Sequence, residues 1–110
     1  MKPRLKKVYG AAKNKGCAVM THSDGDITEL YPGLIELGAD ISDPTQPEVM
    51  DIEYIKKEFG RDIVLFGGLG CQRTIPLGNP SEVVREAKDT LKVLGKGGKY
   101  IMGPSGSIPT

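Results

Sequence analysis

Apolar residues first recur at helical spacing over about residues 3–15. Leu5, Val8, Tyr9 and Ala12 fall at i, i+3, i+4 and i+7, one face of a helix. Pro3 suits its first turn and Gly16 a left-handed C-terminal cap. The short run Cys17–Thr21 then predicts a buried strand. Asp26 and Glu29 have the spacing of a capping box. They open a helix whose stripe is Ile27, Leu30, Leu34, Ile35 and Leu37, ended by Gly38. Pro32 interrupts that stripe because it has no N–H to donate. Either the helix kinks there, or Ile27–Tyr31 is a separate turn and Pro32 opens the helix proper.

Ala39–Ser42 predicts a second strand on two apolar residues, Ala39 and Ile41, with a loop over 44–47. Asp51 caps a helix running through Phe59, with Ile52, Ile55 and Phe59 inward and Gly60 as its stop. Ile63–Phe66 is continuously apolar, as a strand covered on both faces requires. Gly67, Gly68 and Gly70 open a long loop reaching Gly78. Asn79 caps the last helix, with Pro80 first and Glu82 third. Its inner face is Val83, Val84, Ala87, Leu91 and Leu94, and Gly95, Gly97 and Gly98 close it. Lys99–Met102 is the last strand, and Gly103–Thr110 is turn-like.

The resulting order, αβαβαβαβ, implies an α/β fold with a parallel sheet and helical crossovers. The two complete architectures are a doubly wound sheet and a (β/α)8 TIM barrel. A helix opens the chain with no strand before it, and no helix follows the last strand. Four βα units with such ends read as one half of a barrel, a single partial domain over residues 1–110. Val19, Ile41, Val64 and Ile101 would then point into the barrel interior.

A length of 110 residues bounds the chain to one small domain. Hydrophobic residues at 38% and charged residues at 26% make an ordinary soluble composition, and 15 glycines with 8 prolines imply many short turns. A net charge of +1 gives no field for a charge-driven partner. Lys2, Arg4, Lys6, Lys7, Lys13 and Lys15 crowd the start but read as a solvated helix face. Without interleaved aromatic residues they make no stacking surface, so no nucleic acid is expected. Cys17 and Cys71 alone do not form a disulfide scaffold. Met1 leads into a basic helix and no apolar run is long enough to span a bilayer, so the expected setting is cytoplasmic, with no membrane partner.

In either architecture the chemistry lies at the carboxyl ends of the strands. Those segments are Thr21–Asp24, Asp43–Gln46, Gly67–Arg73 and Gly103–Ser107. The first carries His22-Ser23-Asp24-Gly25-Asp26, with the single histidine of the chain. A His and a carboxylate two residues apart can face one metal or substrate. Equally, Asp24 and Asp26 can serve the turn and cap and leave His22 an exposed loop residue. The third segment, Gly67-Gly68-Leu69-Gly70-Cys71-Gln72-Arg73, can bring backbone close to a ligand, with Arg73 meeting a carboxylate or phosphate. Its glycine spacing is neither a dinucleotide fingerprint nor a P-loop. Its bland reading is a rim turn with a surface arginine. Cys71 is a soft-metal ligand candidate.

Four stretches in order resemble the uroporphyrinogen decarboxylase superfamily. They are His22-Ser23-Asp24-Gly25-Asp26-Ile27, Leu34-Ile35-Glu36-Leu37-Gly38-Ala39-Asp40-Ile41, Pro44-Thr45-Gln46-Pro47-Glu48-Val49-Met50-Asp51, and Phe66-Gly67-Gly68 with Gln72-Arg73-Thr74-Ile75-Pro76-Leu77-Gly78. The resemblance runs from about Lys2 to Thr110 and implies the C-terminal half of a (β/α)8 barrel. One branch of that superfamily is a lyase of porphyrin biosynthesis that decarboxylates uroporphyrinogen without a cofactor. The other uses zinc to move methyl groups between a corrinoid and a thiol, and this chain resembles it more closely through His-Ser-x-Gly-Asp.

The resemblance implies substrate or metal contacts from His22 and Asp24, and substrate contacts from Gln72, Arg73 and Ser105; Cys71, a soft ligand by its residue type, is the third candidate for a metal. Asp24 stands where the zinc branch carries Cys, and the last loop, Gly103-Pro104-Ser105-Gly106-Ser107, has no Cys, which weakens zinc. The expected partners are a second copy or a complementary N-terminal barrel half, with a tetrapyrrole or corrinoid as ligand. Alone, the chain is expected to be an inactive enzyme fragment; the alternative is a non-catalytic half-barrel that binds a partner.

Overall fold

Asp51 and Asn79, each placed just before an apolar stripe, cap helices in the computed structural model, which describes residues 2–108. Met1, Pro109 and Thr110 lie outside the described residues, and with them the leader reading at Met1 and the end of the Gly103–Thr110 turn. Helix α1 spans Lys2–Asn14. It buries Tyr9 and packs Leu5 and Ala12 on the core, but Val8 is 63% exposed. At about 100° per residue Val8 lies roughly 60° from Leu5, on the far side from Tyr9, at the edge of the stripe. Gly16 at φ +76 ends the helix, with Cys17 N–H donating to Ala12 O and Gly16 N–H to Lys13 O. Cys17 thus belongs to the helix end, and strand β1 is Met20–His22 rather than Cys17–Thr21.

The capping box expected of Asp26 and Glu29 does not form. Asp26 instead accepts from the backbone N–H and hydroxyl of Thr28, a local turn. A 3-10 turn over Thr28–Leu30 leads into α2, Tyr31–Leu37, with Pro32 in its first turn. Of the two readings at Pro32, the separate turn is the one found. Strand β2 is Ile41–Thr45, so it starts later than Ala39–Ser42 and takes in Pro44, which lay in the expected loop. Its ladder to the next strand shifts register between Ser42 and Thr45. Pro44 has no N–H for the ladder, the usual reason for such an irregularity.

Helix α3 is Ile52–Phe59, and the Asp51 carboxylate accepts from Tyr54 N–H at 3.1 Å. Strand β3, Val64–Leu69, runs on through Gly67 and Gly68. A short α4, Thr74–Leu77, occupies the expected loop. Helix α5, Pro80–Leu94, opens with a complete Asn79–Glu82 capping box. It turns Thr90 and Leu94 inward and leaves Val84 and Leu91 about half exposed. Strand β4 is Tyr100–Pro104.

All four strands are parallel, in the order β1-β2-β3-β4. Thr21, Ser42, Leu65 and Tyr100 are register partners and share one face. That face meets the helices: Tyr9 donates to the Thr21 hydroxyl, Ser42 donates to the Tyr31 hydroxyl, and Leu65 is fully buried. The core there holds Tyr9, Val19, Tyr31, Ile55, Leu65 and Leu94, with Tyr31 stacked on Phe59 at 5.0 Å. Val19 therefore lies under the helices, contrary to the expected barrel-interior position.

The opposite face carries Met20, Ile41, Val64, Phe66 and Ile101. Met20 is 47% and Ile101 43% exposed, while Ile41, Val64 and Phe66 are partly exposed and belong neither to the core nor to the apolar shell packed on it. The double coverage expected of β3 is absent here, because all the long crossover helices pack on the other side.

Candidate functional site

The carboxyl ends of the strands frame a cleft of about 510 Å³ lined by Asp24, Gln46, Cys71, Gln72, Ser105 and Ser107, among others. His22, the last residue of β1, stands beside it. His22 and Asp43 are register partners in parallel strands, so both leave the sheet on the same, uncovered face. His22 Nδ1 and Asp43 Oδ2 are 2.8 Å apart, and Nε2 lies 3.6 Å from Asp24 Oδ1. The hydrogen bond to Asp43 is the leading cause that holds the imidazole pKa above its ordinary value; burial opposes it, and the charges of Asp43 and Asp24 add to the rise. In the neutral ring, Nδ1–H donates to Asp43 and Nε2 keeps a free lone pair. Since His22 is 59% exposed, that lone pair is open to a ligand or a proton.

Of the other sequence candidates, Ser105 lines the cleft with its hydroxyl committed to the fold, and Arg73 lies outside it. Ser105 is buried; its hydroxyl donates to Thr45 O at 3.0 Å and accepts from Gly68 N–H at 3.2 Å. With Ser105 N–H donating to Leu69 O, it clamps the end of β4 to β2 and β3. Arg73 precedes α4 and lines a separate groove with Thr74, Leu77 and Glu82, away from the cleft.

The glycine-rich segment, the end of β3 and the turn after it, is held by hydrogen bonds within the fold. Gly70 N–H donates to Glu86, Gln72 N–H to Glu48, and the Gly67 and Gly68 carbonyls accept from Tyr100 and Thr90. Its N–H groups thus face carboxylates and a structural hydroxyl, the reverse of an anion cradle. A Cβ at Gly68, where φ is +91, would lie 2.5 Å from the Tyr100 hydroxyl and 2.7 Å from Thr90 Cγ2. The glycine is needed for close packing.

His22 and Asp24 come together and Gln72 shares the cleft with Asp24, but the set implied for zinc does not assemble. Among the described residues there is no group of three His, Cys, Asp or Glu placed to hold a metal ion. Cys71 is buried, and burial together with the Glu48 charge pushes its thiol pKa up, away from the thiolate that zinc takes. The residues present do not fit a zinc centre.

No family model, curated protein or solved structure matches this chain. The site's chemistry is that of one oriented imidazole with two carboxylates at the rim of an open, polar cleft. Sequence reasoning passed over Asp43, Gln46 and Glu48 in this arrangement. Asp43 and Gln46 lay within a named strand-end segment, but the His22–Asp43 partnership depends on inter-strand register, which no local pattern carries.

Proposed function

We propose that this chain is the C-terminal half of a (β/α)8 barrel of the uroporphyrinogen decarboxylase superfamily, with its ligand at the strand carboxyl ends. The ligand class is a tetrapyrrole or a corrinoid-borne methyl group. The observation that carries the reading is the His22–Asp43 pair at the rim of a cleft built from the same segments that bear the resemblance. A sheet with helices on one face and a bare apolar face on the other supports the half-barrel part. In this role His22 is an acid–base or ligand-contacting group, Asp43 orients it, and Asp24 and Gln72 contact the ligand. Two free cysteines go with a reducing, cytoplasmic setting. Among the described residues no helix is long and apolar enough to cross a membrane.

A second reading, a non-catalytic half-barrel that binds a partner subunit, draws on the same bare face. Titrating the chain with a porphyrin and with cobalamin, followed by absorbance, separates the two. The enzyme-half reading expects saturable binding of one of them, weakened at least tenfold by His22→Ala. Binding of neither, or binding indifferent to His22, removes it. By itself the chain is expected to yield no product from uroporphyrinogen and to purify without stoichiometric zinc.

A further inference from the structure

At the opposite end of the sheet, the α3–β3 and α5–β4 loops enclose a second cleft, of about 430 Å³, lined by Lys56, Gly60, Arg61, Lys96, Gly97 and Lys99. Four of its six lining residues are cationic and none is acidic. None of the four forms an ion pair among the described residues. Two of them build the cleft by crossing between its two sides: Lys56, in the last turn of α3, donates to Gly98 O, and Lys99 donates to Arg61 O. Lysines near helix C-termini often meet backbone carbonyls in this way. That accounts for one donor on each ammonium, leaving the others, and it does not account for Arg61 or Lys96.

The backbone around the cleft is also unusual. Gly97 and Gly98 lie at φ +76 and +82, with open space where a Cβ would stand. Lys99 lies at φ +55, a left-handed conformation uncommon for a residue with a side chain. The Lys99 ammonium also lowers the pKa of Lys56, after the larger effect of burial, a sign of like charges held together. A chain of net charge +1 thus gathers four cations around one pocket.

We propose that this cleft binds a compact polyphosphate group through Lys56, Arg61, Lys96 and Lys99. The cations come from two facing segments, Lys56 and Arg61 from the end of α3 and the loop after it, Lys96 and Lys99 from the α5–β4 loop, so a chain of two or three phosphates suits them better than one phosphate does. Arg61 supplies a planar fork for phosphate oxygens, and the lysines supply point charges. The site is separate from the carboxyl-end cleft and does not depend on the reading proposed for it.

Isothermal titration of the full chain with inorganic triphosphate tests the proposal, in low salt and in 150 mM salt. The expected result is one saturable site that weakens with salt. Arg61→Ala/Lys96→Ala should weaken it at least tenfold, while Lys6→Ala/Lys7→Ala in α1 should leave it unchanged. Among the described residues neither Arg61 nor Lys96 uses its side chain in a hydrogen bond, and circular dichroism checks that the variant stays folded. If it does not, Arg61→Gln/Lys96→Gln takes its place. Absence of saturable binding, or equal losses in the cleft and α1 variants, overturns the proposal. A nucleoside triphosphate added as competitor then identifies the source: equal affinity means the phosphate chain alone is recognised, and tighter affinity means a nucleotide is.

Discussion

Asp43 and His22 show how much one register position decides. Their pairing orients the imidazole and raises its pKa, and the hydrogen bond is the leading cause. Asp43→Asn keeps the shape but removes the charge. It should lower the His22 pKa, read from the imidazole resonances in an NMR pH titration; an unchanged midpoint would show the pair is not formed in solution. The sign of the stability effect follows. A raised folded-state pKa contributes stability that is full below the unfolded value and fades as pH rises through the folded one. With His22 largely exposed the effect is small, so the NMR midpoint is the sharper measurement. The two cysteines differ on the same physical grounds. Cys17 is exposed, whereas Cys71 is buried and its thiol pKa is raised. Iodoacetamide at neutral pH should alkylate Cys17 well before Cys71 in the folded chain, and mass spectrometry of the digest reads the order.

Single elements show which parts of the fold were legible in the sequence. Asn79-Pro80-Ser81-Glu82 states a helix start in four residues, and the capping box is present. Asn79→Ala should cost about 1 kcal/mol in a denaturant melt. Ile52, Ile55 and Phe59 state the α3 face just as locally. Each depends on contacts within one or two turns, which spacing encodes. Strand limits depend on partners instead. Cys17 was drawn into a helix-end turn, Pro44 was kept inside β2 because its neighbours pair, and β3 ran on through Gly67 and Gly68. The site divided the same way. The His22–Asp24 spacing was visible, whereas Asp43 and the structural role of Ser105 required knowing which strands lie side by side. Gly68 carries this into a measurable effect. Gly68→Ala adds a clash with Tyr100 and Thr90 to a left-handed backbone, so it should destabilise by more than the roughly 1 kcal/mol of a simple Gly-to-Ala strain.

The whole molecule has an elongated outline, 44 × 31 × 25 Å, with a radius of gyration of 14.5 Å. A closely packed domain of this length has a radius near 13 Å. The excess goes with a sheet that helices cover on one side only. Across the bare face run Met20, Ile41, Val64, Phe66 and Ile101, and both edge strands, β1 and β4, present unpaired N–H and C=O groups. Each large apolar side chain left in water forgoes on the order of 1.5–3 kcal/mol of burial. Several together rival the roughly 5–15 kcal/mol net stability of a domain. Two copies related by a two-fold axis along the strands would cover both bare faces and pair β4 of each with β1 of the other, all parallel, as barrel closure requires. The 110-residue chain is therefore expected to sediment at micromolar concentration as a dimer or larger assembly, and to lose its fold on dilution. Ile101→Asp sharpens the test. At a position 43% exposed in the single chain, it should change the stability of a monomer little, by about 0.5 kcal/mol or less, yet it would place a charge on edge strand β4, at the seam where two copies would meet. The assembly should then fall apart in analytical ultracentrifugation. A wild-type chain that sediments as a monomer and unfolds cooperatively, indifferent to Ile101→Asp, would mean that the sheet tolerates water on this face and needs no second half.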